Sequence, residues 1–171
     1  MPLPIAHGLL GASAVAALHP RATKRFYIPL FIGAFLANAA DFDFLFVFIF
    51  RSKDWHRGFS HSIAFALVVF LIFVLCLGKR KIREAAAYAL AFASHCILDF
   101  MTTVNGGGVE LLSPFSSERF AFGWRGLSET PSKLSAAEIA QTLGVEFLLF
   151  APLLFFILFL RNYFSAEKSV A

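Results

Sequence analysis

Asp41-Phe42-Asp43, then the seven apolar residues Phe44 to Phe50, then Arg51-Ser52-Lys53-Asp54-Trp55-His56-Arg57-Gly58-Phe59-Ser60-His61-Ser62: these twenty-two residues decide how the chain is read. They hold carboxylates and imidazoles in a sequence that is 58% hydrophobic and only 15% charged. That apolar fraction exceeds the roughly 45–50% of soluble domains. With 23 phenylalanines in 171 residues, the composition points to a membrane protein. The expected fold is therefore an all-α, polytopic membrane protein, a bundle of four to five transmembrane or partly embedded helices. By length, residues 1–171 form one domain.

Outward from that stretch, apolar runs alternate with short polar breaks. Leu3 to Leu18 is a short run bearing His7. A signal peptide is one reading of it, with Ala12-Ser13-Ala14 as a cleavage site. No Lys or Arg precedes it, however, and Arg21, Lys24 and Arg25 follow, so a retained, partly embedded helix is favoured. Phe26 to Phe50 is interrupted by Asn38, Asp41 and Asp43. Residues two apart lie on nearly opposite sides of an α-helix, so if Asp41 and Asp43 serve one site the helix must break there. The reading is a helix to about Asn38, an irregular turn, and a short apolar piece to Phe50. Ser60 is placed to cap a helix from near His61 to Leu77. Glu84 to Thr103 is the next helix and carries His95 and Asp99. A long polar loop, about 104–142, leads to a last apolar helix from Leu143 to Leu160.

Fifteen Lys and Arg against eleven acidic residues is a modest excess, spread in short clusters as in membrane loops and not on a nucleic-acid-binding face. Cys76 and Cys96 fall inside apolar runs and read as small core hydrophobes. With five helices, nine basic residues fall on one side of the membrane and six on the other, which puts the amino terminus outside by the positive-inside rule. His7, Asp41, Asp43, His56, His61, His95 and Asp99 then all approach the extracytoplasmic face. His95 and Asp99, four apart, share one helix face. A carboxylate near the bilayer centre costs roughly 2.5–3.5 kcal/mol on insertion scales. A divalent metal held by carboxylates and neutral imidazoles removes that cost. Each residue has a plainer alternative: a hydrogen-bonded His95–Asp99 pair, a structural His7, a solvated turn at Asp41–Asp43, or an ordinary basic loop at His56–His61. Glu110, Glu118 and Glu129 read as loop surface, and Glu146 as a reserve ligand.

His7, the pair in Ala40-Asp41-Phe42-Asp43, the string His56-Arg57-Gly58-Phe59-Ser60-His61-Ser62, and His95-Cys96-Ile97-Leu98-Asp99 resemble the YdjM-type family of membrane-bound metal-dependent hydrolases of the inner membrane. The likeness spans residues 1 to about 115. More distantly, the order His…Asp…His…His-x3-Asp is similar to the zinc-dependent phospholipase C and P1 nuclease group. That likeness implies His7, Asp41, His61, His95 and Asp99 as metal ligands, with Asp99 bridging two ions. The chain lacks that group's amino-terminal Trp ligand and its later His…His-x3-Glu set, so one or two ions are expected, with Asp43 or His56 as substitutes.

The function expected is a membrane-bound metal-dependent hydrolase, cleaving a phosphoester of a lipid or lipid-linked substrate by metal-activated water. Zinc is the expected metal, with manganese as the other choice. Asp43, His56 and Arg57 are the catalytic candidates: a general base or imidazole-orienting carboxylate, and an arginine that binds phosphate. An ion or proton transporter using intramembrane Asp and His is the alternative, and a metal of purely structural use is a third reading. Metal, membrane and lipid are the expected partners, and nucleic acid is not.

Overall fold

Proline at the first position of a helix fixes φ and gives up an amide that has no partner there, and Pro4 opens the first helix in this way. A computed structural model describes residues 2–20, 25–104, 107–124 and 135–170. It contains α1 (Pro4–Leu18), α2 (Tyr27–Ala39), α3 (Phe44–Phe50), α4 (Ile63–Leu77), α5 (Ile82–Thr102) and α6 (Ala136–Val170). A single antiparallel bridge, Val109 to Phe120, is the extent of strand pairing among the described residues. Three stretches are long and apolar enough to cross a membrane: Tyr27–Phe50, Lys79–Thr102 and Ala136–Phe164. A fourth joins Lys53–His61 to α4 across a 54° bend.

α1 is the hub. It packs against α2, α5 and α6, while α4 lies against α5. Its small residues allow this: a Cβ on Gly11 would stand 2.4 Å from the Ala37 Cβ and 2.5 Å from the Gly33 carbonyl oxygen. Glycine at that position lets α1 and α2 cross backbone to backbone, as small residues do in membrane helix pairs. Val15, Ala87, Tyr88 and Ala91 form the core at one end. Ala6, Leu98 and Phe150 form it at the other.

α6 grips α1 at both ends. The Glu146 carboxylate accepts from the amides of Leu3 and Ala6, the latter at 3.1 Å. Arg161 Nη1 donates to the carbonyls of Ala16 at 2.9 Å and His19 at 2.8 Å, with its guanidinium 4.2 Å from the Phe26 ring centroid. An anion at the amino end and a cation at the carboxyl end match the helix dipole. The spacing also fits: fifteen residues separate the two side chains, about 22 Å of helix, the length of α1 itself. Glu146, expected in reserve as a ligand, is instead a helix cap, fully buried in that role.

Three helices differ in their bounds from the sequence reading. α6 begins at Ala136 and runs to Val170, so the polar connection ends before 142 and the helix passes Leu160. Ser135 caps it, its hydroxyl accepting from the Glu138 amide at 3.2 Å. Ser135-Ala-Ala-Glu138 has the spacing of a capping box, a signal that hydropathy alone passes over. α5 begins at Ile82, two residues ahead of Glu84. Ser62, not Ser60, caps α4, accepting from the Phe65 amide at 3.1 Å. The break in the second span falls where it was expected: Ala40–Asp43 tightens into a 3-10 turn between α2 and α3. Glu129 lies outside the described residues.

Three substitutions test this packing. Gly11→Ala has no room and should destabilise the detergent-solubilised protein by about 1–3 kcal/mol, the usual cost of overpacking. Gly144→Ala, with nothing within 4 Å of its added Cβ, should raise the thermal midpoint through helix propensity. Glu146→Ala leaves two helix-end amides without their acceptor and should cost roughly 1.5–3 kcal/mol. Thermal unfolding followed by circular dichroism reads all three, and equal midpoints for Gly11→Ala and Gly144→Ala would contradict the close crossing.

Candidate metal centre

The polar residues of the central stretch meet α5 at the end of the bundle where α1 starts. Residues four apart project from one helix face, and α5 presents His95 and Asp99, both fully buried, on the face toward α1 and α2. The His95 Nδ1 lies 2.6 Å from the Ala37 carbonyl oxygen. A carbonyl only accepts, so that nitrogen carries the hydrogen and Nε2 presents its lone pair. His61, at the foot of α4, is oriented by the same logic. Its Nδ1 is 3.3 Å from Asp43 Oδ2 and 3.0 Å from the Ser60 hydroxyl. Ser60 gives its own proton to Asp43 at 2.8 Å, so His61 Nδ1 is the donor and its Nε2 is bare as well.

These two bare nitrogens face each other at 3.0 Å. Asp41 Oδ1 is 3.3 Å from His95 Nε2 and 3.8 Å from His61 Nε2. Asp99 Oδ2 is 4.0 Å from His95 Nε2 and 3.8 Å from His61 Nε2. One atom from each of Asp41, His61, His95 and Asp99 lies within 4.8 Å of all the others. With both rings neutral, four electron-rich atoms therefore converge with no hydrogen between them. Donors about 2.0–2.1 Å from a tetrahedral zinc stand about 3.3–3.4 Å from one another. The observed separations bracket that value, and two imidazoles with two carboxylates are a donor set that suits zinc. The residues fit a divalent cation.

Asp41 and Asp43 reach this place from opposite sides. The 3-10 turn lets one carboxylate face Nε2 of His61 and the other face its Nδ1. Asp43 is saturated: it accepts from His56 Nδ1 at 2.9 Å, the Arg57 amide at 2.9 Å and Ser60 at 2.8 Å. That full set of donors makes it an orienting carboxylate. His7 adjoins the four-atom group without joining it. Its ring stacks on His95 with centroids 3.9 Å apart, and its Nε2 is 3.5 Å from Asp99 Oδ1. Both His7 nitrogens and Asp99 Oδ1 are buried and have no hydrogen-bond partner among the described residues.

His56 is partly open. Its ring stacks on Phe44 at 3.9 Å, and its held Nδ1 leaves Nε2 on the far edge. Arg57 adopts φ 57°, an unusual backbone conformation for a residue with a side chain. Asp43 holds its amide, and the Glu110 amide donates to its carbonyl at 3.0 Å. The Arg57 Nε donates to Asp99 Oδ2 at 3.0 Å, so part of the guanidinium is already engaged.

Several participants were not read from the sequence. Ser60 appeared as a helix cap, and the Ala37 carbonyl has no side-chain signature. Glu110 is half-buried and pairs with Arg119 at 3.0 Å. Arg119 also donates to the carbonyls of His56 at 3.1 Å and Asp54 at 2.7 Å. Together they clamp the segment after Gly107 over the His56–Arg57 turn. Glu118 is exposed, as expected.

The comparisons bear on the whole arrangement. The sequence model of the YdjM inner membrane protein family matches residues 1–167, which include every residue of this site. The chain belongs to that family. It is also 39% identical over 114 residues to the inner membrane protein YbcI of Escherichia coli (strain K12), a match covering 62% of this chain. The matched part spans 65% of the length of that YdjM-type relative. No solved structure matches the chain. As a member of the YdjM family with three to four candidate spans, the chain is an inner membrane protein with a His/Asp cluster able to hold a metal ion.

Replacing the orienting carboxylate provides the test. Asp43→Asn should weaken divalent-cation affinity about 10–100-fold, the usual loss when a partner of a ligating histidine is removed. His61→Ala should lose more. Competition with a chromogenic chelator measures both, and an Asp43→Asn affinity equal to that of the unaltered protein would remove Asp43 from this role.

Proposed function

We propose that the protein is a metal-dependent hydrolase that cleaves a phosphoester of a lipid or lipid-linked molecule in the inner membrane, with its site toward the extracytoplasmic side. The observation that carries this reading is the meeting of four unprotonated donor atoms, from Asp41, His61, His95 and Asp99, in an apolar bundle. Those four residues would hold the ion, zinc first and manganese second, and His7 beside Asp99 leaves a place for a second. Once bound, a divalent cation supplies Lewis acidity, lowering the pKa of water and polarising a phosphoryl oxygen.

The remaining steps belong to the chain's own residues. Asp43 fixes the tautomers of His61 and His56 through their Nδ1 atoms. His56 thereby keeps Nε2 available to take a proton from water or give one to a leaving oxygen. Arg57 neutralises Asp99 through Nε; its Nη groups have no acceptor among the described residues and suit a phosphoryl oxygen. The likeness to the phospholipase C and P1 nuclease group supports phosphoester chemistry, and the apolar setting supports a substrate that stays in the bilayer. The side of the membrane rests on the asymmetry of basic residues.

Elemental analysis of detergent-purified protein, followed by assay in phospholipid proteoliposomes, tests the reading. We expect stoichiometric zinc or manganese, lost in His61→Ala and Asp99→Ala, and metal-dependent release of phosphate or diacylglycerol. Unchanged metal content in both variants would end it. Bound metal with cation flux and no lipid cleavage would favour a transporter.

A further inference from the structure

Resting on the hydrolase reading, we infer that substrate reaches the site sideways from the bilayer, through a mouth between Asp41 and His56 that Phe44 borders, so that the substrate is a membrane-resident phospholipid. The proposal starts from which site residues are covered. His61, His95 and Asp99 have no exposed side-chain surface, whereas Asp41 keeps 25% and His56 17%. These two openings are one place, because atoms of Asp41, Asp43 and His56 lie within 4.8 Å of one another.

The direction of that opening follows from its neighbours. Phe44 stacks on His56 and is half exposed, and Phe42 and Leu45 are exposed at 61% and 60%. Beyond them α3 continues as Phe-Leu-Phe-Val-Phe-Ile-Phe with no buried residue. Trp55 stacks on Phe50 at one end, but a helix apolar all round and otherwise left exposed belongs in lipid. α3 is the last part of the Tyr27–Phe50 span, and the first charged residue after the mouth is Arg51. Seven residues at 1.5 Å place the mouth about 10 Å below that charge, inside the apolar layer. Arg57 and Ser60, which hold Asp43, are buried. Above them, Arg119 and Glu110 tie down the Asp54–Arg57 backbone. Among the described residues the aqueous side is roofed and the lipid side is open. A headgroup ester drawn to this depth meets the site while its acyl chains lie along the exposed phenylalanines of α3.

Two measurements on the full chain in proteoliposomes of phosphatidylethanolamine and phosphatidylglycerol test the mouth without turnover. In a Cys76→Ser background, with Cys96 left in its buried place, nitroxides are attached at Phe44→Cys, Phe48→Cys and Phe115→Cys. Oxygen concentrates in lipid and a nickel chelate in water. The oxygen-to-nickel relaxation ratio at residue 44 should lie nearer that at 48, on the outer flank of α3, than that at 115, in the polar segment. A ratio nearer that at 115 overturns the proposal. A benzophenone amino acid in place of Phe44 should, on irradiation, give a protein–phospholipid adduct by mass spectrometry. Absence of that adduct where the same group at Phe48 gives one also overturns it. Release of phosphate by a protein whose residue 44 is water-exposed would leave the hydrolase standing and remove the lateral mouth. A lipid-exposed residue 44 in a protein with no hydrolytic activity would do the reverse.

Discussion

Two imidazole Nε2 atoms, bare of hydrogen when their rings are neutral, stand 3.0 Å apart in an apolar bundle with a carboxylate on either side. Without a positive charge between them such atoms repel, and at low dielectric the repulsion is large. Everything near them holds this unfavourable meeting together. The Ala37 carbonyl fixes one ring, and Asp43 with Ser60 fixes the other. Arg57 stands against Asp99. A cation turns the same geometry from cost to gain, and this is why a cluster so placed reads as a ligand set and not as a buried hydrogen-bond network, whose members would point donors at acceptors.

The frame carrying this cluster depends on α1, which is too short to be the obvious organiser. It is enclosed by α2, α5 and α6, and its glycine crossing with α2 sets how near Ala37 comes to α5. The position of Ala37 in turn sets the ring of His95. α6 adds the second restraint, with a carboxylate and a guanidinium spaced to the length of α1. The geometry of the candidate metal centre thus rests on a backbone contact and two helix-end contacts, consistent with ligands being held by packing as much as by their own bonds.

Much of this was legible in the sequence because carboxylates and imidazoles are rare and costly in apolar runs. The helical membrane fold, the break at Asp41–Asp43, the shared face of His95 and Asp99 and the convergence of the polar residues at one end all follow from that cost and from helix periodicity. The division of labour between Asp41 and Asp43 did not follow from periodicity: the family resemblance set Asp41 among the ligands and left Asp43 as a base or imidazole-orienting carboxylate, and the geometry behind that separation depends on which nitrogen of His61 each one faces. Glu146 was misread for a related reason: it is a carboxylate near the site end of a span, and its real partners are backbone amides of α1, which leave no mark on composition. Ser135 was overlooked because hydropathy places α6 by its apolar middle, whereas its start is set by a cap.

The 3-10 turn explains why a single span supplies two different functions. In an uninterrupted α-helix, Asp41 and Asp43 would point about 160° apart, and one of them would be left facing lipid. Tightening to three residues per turn over Ala40–Asp43 closes that angle to about 120°, so both carboxylates embrace the ring of His61. The same tightening ends α2 and redirects the chain into α3, whose apolar residues all remain outside the core. Local backbone geometry therefore produces the orienting carboxylate, the partly open Asp41 and the phenylalanine flank beside it in one step. Lengthening or straightening the turn would dismantle all three together, and for that reason the turn and the candidate metal centre are best regarded as one structural unit.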